Sequence, residues 1–231
     1  MRQIPAGDRA VVVDSLGVGV ATGAYGVSFG AIATASGLDV WQAGALSLLV
    51  FTGASQFAFV GVVGAGGAPL TGAATALLLG SRNAFYGLAL APRLEARGWR
   101  RLLTAQLVID ESTAMGVGQE DPRHTRLAFH LTGASVFVLW NLMTLVGAVG
   151  GRALGDPRTF GLDAAVGGAF LALLWPRLTD GPQRAVAIIG AGVATGLVPW
   201  TPAGAPVIVG GAVAVAAGLM FRGRTASTED A

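Results

Sequence analysis

Long uncharged apolar stretches alternate along the chain with short polar punctuation. No charged residue occurs between Asp39 and Arg82, between Arg126 and Arg152, or between Arg184 and Arg222. A bilayer core takes roughly 20 apolar residues per helix, so each stretch holds one or two crossings. The pattern predicts helices at about Val11–Ala35, Trp41–Gly66, Pro69–Ala91 and Leu102–Gln119, and then at about Thr125–Gly150, Leu162–Pro176, Arg184–Val198 and Ala203–Phe221. The segments are too long for barrel strands, and no alternating ten-residue pattern appears. Breakers fall between them: Ser36-Gly37, Gly66-Gly67-Ala68-Pro69, Gly155-Asp156-Pro157 and Gly181-Pro182. The expected fold is an all-α polytopic integral membrane protein of about seven or eight hydrophobic segments. It forms a single transmembrane domain over 1–231, with a polar N-terminus at 1–10 and a polar, disordered tail at 222–231.

Composition strengthens this reading. Only 12% of residues are charged and 53% are hydrophobic, where a soluble domain carries about a quarter charged. Glycine supplies 36 residues. In lipid, helix association depends on close backbone contact at small residues, and Gly19-x3-Gly23 and Gly26-x3-Gly30 fit that use. A glycine-lined substrate path is the alternative. Cysteine and lysine are both absent, and all fifteen basic residues are arginine. Disulfides, thiolate metal sites, a P-loop and a Schiff-base lysine are therefore excluded. No basic run with interleaved aromatics points to nucleic acid, and no cofactor or metal is expected. The polar start is short and leads into a long apolar stretch that runs on to a second one, so no cleaved leader is expected.

Orientation presents a conflict. The connector Pro92–Arg101 holds Arg93, Arg97, Arg100 and Arg101 against one Glu95, which places it in the cytoplasm. Three full crossings before it would put Arg2 and Arg9 outside. Either the N-terminus is outside or one of the first three segments does not cross. Thr52-Gly53-Ala54-Ser55-Gln56-Phe57 interrupts the second segment with small and polar residues. That suits a broken or half-helix element, tolerated at membrane depth where it is buried in protein or faces water. A faint duplication is also visible. Thr-Gly-Ala-Ser-x-Phe occurs at 52–57 and 132–137, and Pro-Arg-Leu at 92–94 and 176–178. Pro199-Trp200-Thr201-Pro202 splits the last apolar run into two short segments, either tilted thin spans or a re-entrant hairpin.

Ionisable groups deep in a membrane cost at least ~2.5–3.5 kcal/mol, so few are kept without a partner or a purpose. Arg82 lies ten residues before Pro92, and Asp110 and Glu111 lie nine and ten after Arg101. Helices joined by a short connector are normally antiparallel neighbours, so the arginine and the carboxylates meet near mid-bilayer. One arginine neutralises one carboxylate, and the other is left to bind a substrate ammonium or carry a proton. A structural ion pair that locks the hairpin is the competing reading. Thr52, Ser55 and Gln56 form a second candidate set, where a broken helix would offer backbone N–H groups to a carboxylate. Interhelical hydrogen bonding is its competitor. Tyr25, Ser28, Asn83, Tyr86, Trp140 and Asn141 are further polar groups within the apolar segments. Asp14 and Asp163 fall near segment ends, and His130 lies one turn inside the fifth segment.

These stretches resemble the AzlC-like family, the large subunit of branched-chain amino acid exporters. The resemblance runs over about residues 15–120, through Gly26-Val-Ser-Phe-Gly-Ala-Ile-Ala, Leu49-Val-Phe-Thr-Gly-Ala-Ser-Gln-Phe57, Ser81-Arg-Asn-Ala-Phe-Tyr-Gly-Leu-Ala-Leu-Ala-Pro92 and Asp110-Glu-Ser112. A looser likeness continues through Gly168-Ala-Phe-Leu-Ala-Leu-Leu174. Where the family often has histidine after the arginine, this chain has Asn83. The resemblance implies export of leucine, isoleucine, valine and, at the edge of the range, methionine. It also implies a small AzlD-like membrane subunit as partner. The resulting expectation is a non-enzymatic, multi-pass transporter of the inner (plasma) membrane. Its substrate-binding residues would be Thr52, Ser55, Gln56, Arg82, Asn83, Asp110 and Glu111, with Asp110 and Glu111 coupling protons. Phe51, Phe57 and Phe85 would shape an apolar pocket. Assembly as an oligomer is open. A channel-like pore and a non-transporting scaffold remain the alternatives.

Overall fold

A computed structural model describes residues 6–154, 171, 174, 175 and 178–229. Apart from isolated positions, the helix expected at Leu162–Pro176 lies outside the described residues, as do Asp163 and the Gly155-Asp156-Pro157 connector. The described residues form helices and connecting turns, with no strand among them. In order these are α1 (Ala6–Ala24), α2 (Gly26–Ala35), α3 (Val40–Leu49), α4 (Ala54–Gly64), α5 (Pro69–Gly80) and α6 (Arg82–Leu94). There follow α7 (Trp99–Gln106), α8 (Asp110–Val117), α9 (Pro122–Leu154), α10 (Gly181–Leu197) and α11 (Ala205–Glu229).

Each of the first four expected helices is thus two helices, broken near its middle. Two of the breaks have a side chain that holds them open. At 50–53 the chain leaves the helix through Gly53 at φ +61°. The Gln56 amide then accepts from the Gly53 N–H at 3.0 Å and donates to the Leu46 carbonyl at 3.2 Å. At 107–109 the Ser112 hydroxyl does the same work, accepting from the Ile109 N–H at 3.2 Å and donating to the Leu107 carbonyl at 2.5 Å. Both residues stand at the third position of the helix that follows, where a side chain can reach back to a backbone N–H that the helix leaves unpaired.

Contacts at the helix ends fix the topology. At one end of the molecule, Asp8 of α1 meets Arg123 and His124 of α9, at 2.6 and 2.9 Å. At that same end Arg126 reaches Glu95 beyond α6 at 3.0 Å, and Thr125 approaches the carbonyl of Gln119 beyond α8. At the other end Gly64, closing α4, lies against Ser36 beyond α2, and Gly67 against Ala203. The pair α3–α4 therefore enters from this second end and returns to it. The pair α7–α8 enters from the first end and returns there. The two units α1–α4 and α5–α8 run in opposite directions, each a broken span followed by a re-entrant hairpin. Gly26 and Arg82 open the second halves of the spans, and Ala54 and Asp110 open the second halves of the hairpins, 56 residues apart in each case. Phe29 and Phe85, Ala33 and Ala89, and Ala35 and Ala91 repeat at the same interval. The structural duplication is thus inverted and has this shorter period. Of the two Thr-Gly-Ala-Ser-x-Phe copies, one breaks a hairpin and the other lies within the unbroken α9.

The second segment does not cross, so the orientation conflict disappears. The N-terminal end of α1 and the arginine-rich connector after α6 share one end of the molecule. Among the described residues two apolar stretches are long enough to span a bilayer, Gly7–Ala35 at 29 residues and Pro122–Gly151 at 30. They pack parallel to each other through the predicted glycines. A methyl group added to Gly19, Gly23, Gly26 or Gly30 would collide with Ser135, Leu139, or the carbonyls of Trp140 and Thr144. Glycine here serves backbone contact. The final hairpin pairs α10 and α11 through Gly190 and Gly210, and Gly211 lies against Leu78 of α5. The tail expected to be disordered continues α11 to Glu229. Extending an existing helix needs no new nucleus, only one bond per residue added.

Candidate functional site

The broken helices position a cavity of about 980 Å³ between the two hairpins and the α5–α6 span. Its lining includes Leu49, Val50 and Thr52 from the first hairpin tip and Ala105, Gln106 and Val108 from the second. Each of the first three stands 56 residues before its partner in the second set, so the cavity lies where the inverted units meet. Binding sites of broken-helix transporters lie at such a junction. One wall is made of small residues along α5 and α6, namely Ala73, Ala76, Gly80, Ala84 and Gly87, and this is what leaves the space open. The larger apolar lining residues include Leu46, Phe51 and Phe59.

Polar side chains are sparse there, and three of them carry an unsatisfied atom. The hydroxyls of Thr52 and Ser55 and the side-chain oxygen of Asn83 are buried without a hydrogen-bond partner, and all three residues line the cavity. Ser55 is only 1% exposed. A buried hydroxyl without a partner costs about 1–3 kcal/mol, which makes these groups candidates for contact with a ligand. The N-terminus of α4 starts beside Thr52 and Ser55 and adds the partial positive charge of its free N–H groups.

The predicted ion pair forms. Arg82 donates from Nη2 to Asp110 Oδ2 at 2.5 Å, and the Tyr86 hydroxyl donates to Asp110 Oδ1 at 2.8 Å. Glu111 stands within reach of the Arg82 and Asp110 charges and also meets Thr22 of α1. Of the two adjacent carboxylates, Asp110 holds the direct ion pair with Arg82. None of Arg82, Asp110 and Glu111 lines the cavity, so the two predicted sets are neighbours and not one cluster. Arg82 and Asn83 connect them by adjacency in sequence. Gln56 is fully buried, and its amide is engaged in the hairpin break.

Phe51 lines the cavity and Phe57 is buried, tilted against Tyr25 with ring centroids 5.5 Å apart. Phe85 is 70% exposed and lies on the outer face of α6, so it does not shape the pocket as expected. The helix turns it away because the inward positions are taken by Asn83, Ala84 and Gly87. His130 bonds through Nδ1 to the Arg126 carbonyl at 2.8 Å and faces Thr104 through Nε2, away from the cavity. Ser81 and Gln106 are lining residues that the sequence reading missed. Ser81 marks the α5–α6 break, and Gln106 is an amide in the last turn of an amphipathic helix. Neither stands out without knowledge of the breaks.

Half-helices that end around a solute-sized cavity, in a bundle whose described residues carry two membrane-length apolar stretches, have the character of an integral membrane protein, and the cavity is its candidate site. The chain belongs to the AzlC protein family, which matches residues 17–154 and so covers most of the first inverted unit, the whole of the second and α9. This is a family of membrane transport. The chain is also similar to an uncharacterized membrane protein of Haemophilus influenzae, with 21% identity over 173 residues, 73% of this chain and 70% of the relative. No solved structure matches it.

Proposed function

We propose that the chain is a secondary transporter that exports leucine, isoleucine and valine, with methionine at the edge of the range. It would act as the large subunit beside a small AzlD-like membrane protein. The observation that carries this reading is the set of buried, unpartnered oxygens of Thr52, Ser55 and Asn83 on an otherwise apolar cavity. Small neutral amino acids have this pattern of polar ends and an apolar branch. Thr52 and Ser55, with the N-terminus of α4, take the carboxylate. The walls from Leu46, Phe51 and Phe59 take the branch. A methylene is worth about 0.8 kcal/mol, so leucine and valine should differ by only about fourfold in affinity.

Asp110 and Glu111 carry the coupling proton, with Arg82 balancing the charge. Glu111 suits this because the direct ion pair of Arg82 is with Asp110. Multi-pass insertion in the inner (plasma) membrane follows the same reading. The end bearing Arg9, Arg93, Arg97, Arg100, Arg101, Arg123 and Arg126 is then cytoplasmic. The deciding test is flux of labelled leucine and valine in proteoliposomes that hold this chain with its AzlD-like partner, with and without a proton gradient. Saturable flux that falls at least tenfold in Glu111→Gln, in a variant that still elutes as a folded species, is the expected result. Flux no greater than in empty vesicles would sink the amino acid reading. Saturable flux indifferent to Glu111→Gln and Asp110→Asn would remove both acids from the mechanism.

A further inference from the structure

The cavity contains no charged lining side chain among its described residues, yet an amino acid brings both a carboxylate and an ammonium. The carboxylate has the N-terminus of α4 with the Ser55 hydroxyl, buried and unpartnered. The opposite pole comes from helix C-termini. Helix α3 ends on the cavity with Leu46, Leu49 and Val50, and α5 ends there with Leu77, Gly80 and Ser81. Helix α7 ends there with Ala105 and Gln106. The last carbonyls of a helix carry a partial negative charge and lack intrahelical donors.

One side chain joins two of these ends. Gln106, in the last turn of α7, donates from Nε2 to the Leu48 carbonyl in the last turn of α3, at 2.9 Å. With its NH2 group fixed on Leu48, the amide has its Oε1 left to accept. An acceptor held between two helix C-termini on a cavity wall is matched to an ammonium group. Asp110 is already bonded by Arg82 and Tyr86 outside the lining, and Glu111 meets Thr22.

We propose that the substrate's ammonium binds at the C-terminal ends of α3 and α7, on the Oε1 of Gln106 and the neighbouring carbonyls. Asp110 and Glu111 then serve coupling and not substrate binding. Gln106 thereby becomes the residue that distinguishes an amino acid from the corresponding oxo acid. This assignment rests on the transporter reading above and divides its site into two functions.

Equilibrium binding to the purified chain in nanodiscs, with its AzlD-like partner present, tests the assignment. The probes are labelled L-leucine and 4-methyl-2-oxopentanoate, which keeps the carbon skeleton and carboxylate but lacks the ammonium. Leucine should bind at least tenfold more tightly than the oxo acid. Gln106→Leu should reduce that preference to within threefold, by weakening leucine and not the oxo acid. Gln106→Glu, which adds charge at the same place, should increase the preference, so the two substitutions move it in opposite directions. Asp110→Asn and Glu111→Gln should each keep the preference for leucine over the oxo acid at tenfold or more. Loss of the preference in either acid variant, or its persistence in Gln106→Leu, would overturn the assignment and return the ammonium to the acids. If leucine does not bind the folded wild-type complex at all, both this assignment and the amino acid reading fall.

Discussion

The hairpins α3–α4 and α7–α8 have the same plan and opposite chemistry. Each enters from its own end of the molecule, breaks at mid-depth and returns, and each break is held by the third residue of the outgoing helix. At the first tip that helix opens Ala54-Ser55-Gln56, and at the second Asp110-Glu111-Ser112. Position for position, a methyl faces a carboxylate, a hydroxyl faces a second carboxylate, and a long amide cap faces a short hydroxyl cap. The neutral tip borders the cavity through Ser55, while the acidic tip directs its charges to Arg82, Tyr86 and Thr22. One backbone device can therefore supply two different functions. The helix N-terminus is common to both, and the first two side chains decide whether it is left for a ligand or neutralised from within.

Breaking the charge arrangement at the acidic tip should have the largest effect. Arg82→Leu leaves Asp110 partly buried with only Tyr86 as a partner. Removing one member of a buried pair costs about 3–5 kcal/mol, and the partial exposure here places the value near the lower bound. Arg82→Leu with Asp110→Leu should recover most of that loss, because no unpaired charge remains. Thermal unfolding midpoints of the single and double variants check this. A double variant no more stable than the single one would show that the pair is not the source of the cost.

The caps provide the next comparison. Gln56→Leu removes both hydrogen bonds of a fully buried amide and leaves the Gly53 N–H and the Leu46 carbonyl without that partner. At about 1–3 kcal/mol for an abandoned group, a loss of about 2–3 kcal/mol is expected. Ser112→Ala also strips its break, but the smaller side chain leaves less empty volume, so the loss should be about half as large. Hydrogen exchange at the two tips would show each effect confined to its own hairpin. A Ser112→Ala variant less stable than Gln56→Leu would reverse the ranking.

Membrane character, the helical class, the meeting of Arg82 with the acidic pair at 110–111 and the break at Thr52–Gln56 were all legible in the sequence, though not that Asp110 is the partner. Each leaves a local mark, such as an uncharged run, a charge at a countable depth, or a polar cluster inside an apolar segment. The breaks at Tyr25, Ser81 and 107–109 were not legible, because they disturb one to three residues and leave the apolar pattern continuous. The inverted repeat was hidden for the same reason. Its two copies share a backbone path, and the side chains at the tips have diverged from Ser55-Gln56 to Glu111-Ser112. The outward turn of Phe85 and the contribution of Gln106 to the cavity depend on helix phase after a break, which no continuous periodicity supplies. Candidate site residues were therefore found where they carry charge or interrupt a run, and missed where only packing brings them to the cavity.

The smallest expected effect separates the two tips by backbone alone. Gly53 holds φ +61° and ψ −82°, a conformation that a residue with a Cβ reaches only under strain. Ile109, its counterpart 56 residues on, is extended at φ −129° and ψ 172°, which any residue adopts. Nothing closer than Trp140 at 4.0 Å would meet a methyl group on Gly53, so the cost of Gly53→Ala is conformational and not steric. Such strain is of order 1–3 kcal/mol, and about 1 kcal/mol is expected where the surroundings can relax. The effect should appear as a lower unfolding midpoint together with faster exchange of the Phe57 amide, which bonds the Gly53 carbonyl. An unchanged midpoint would mean that the first tip relaxes to an ordinary extended break like the second. The two hairpins would then differ in side chains only, and the glycine would not be needed to form the break.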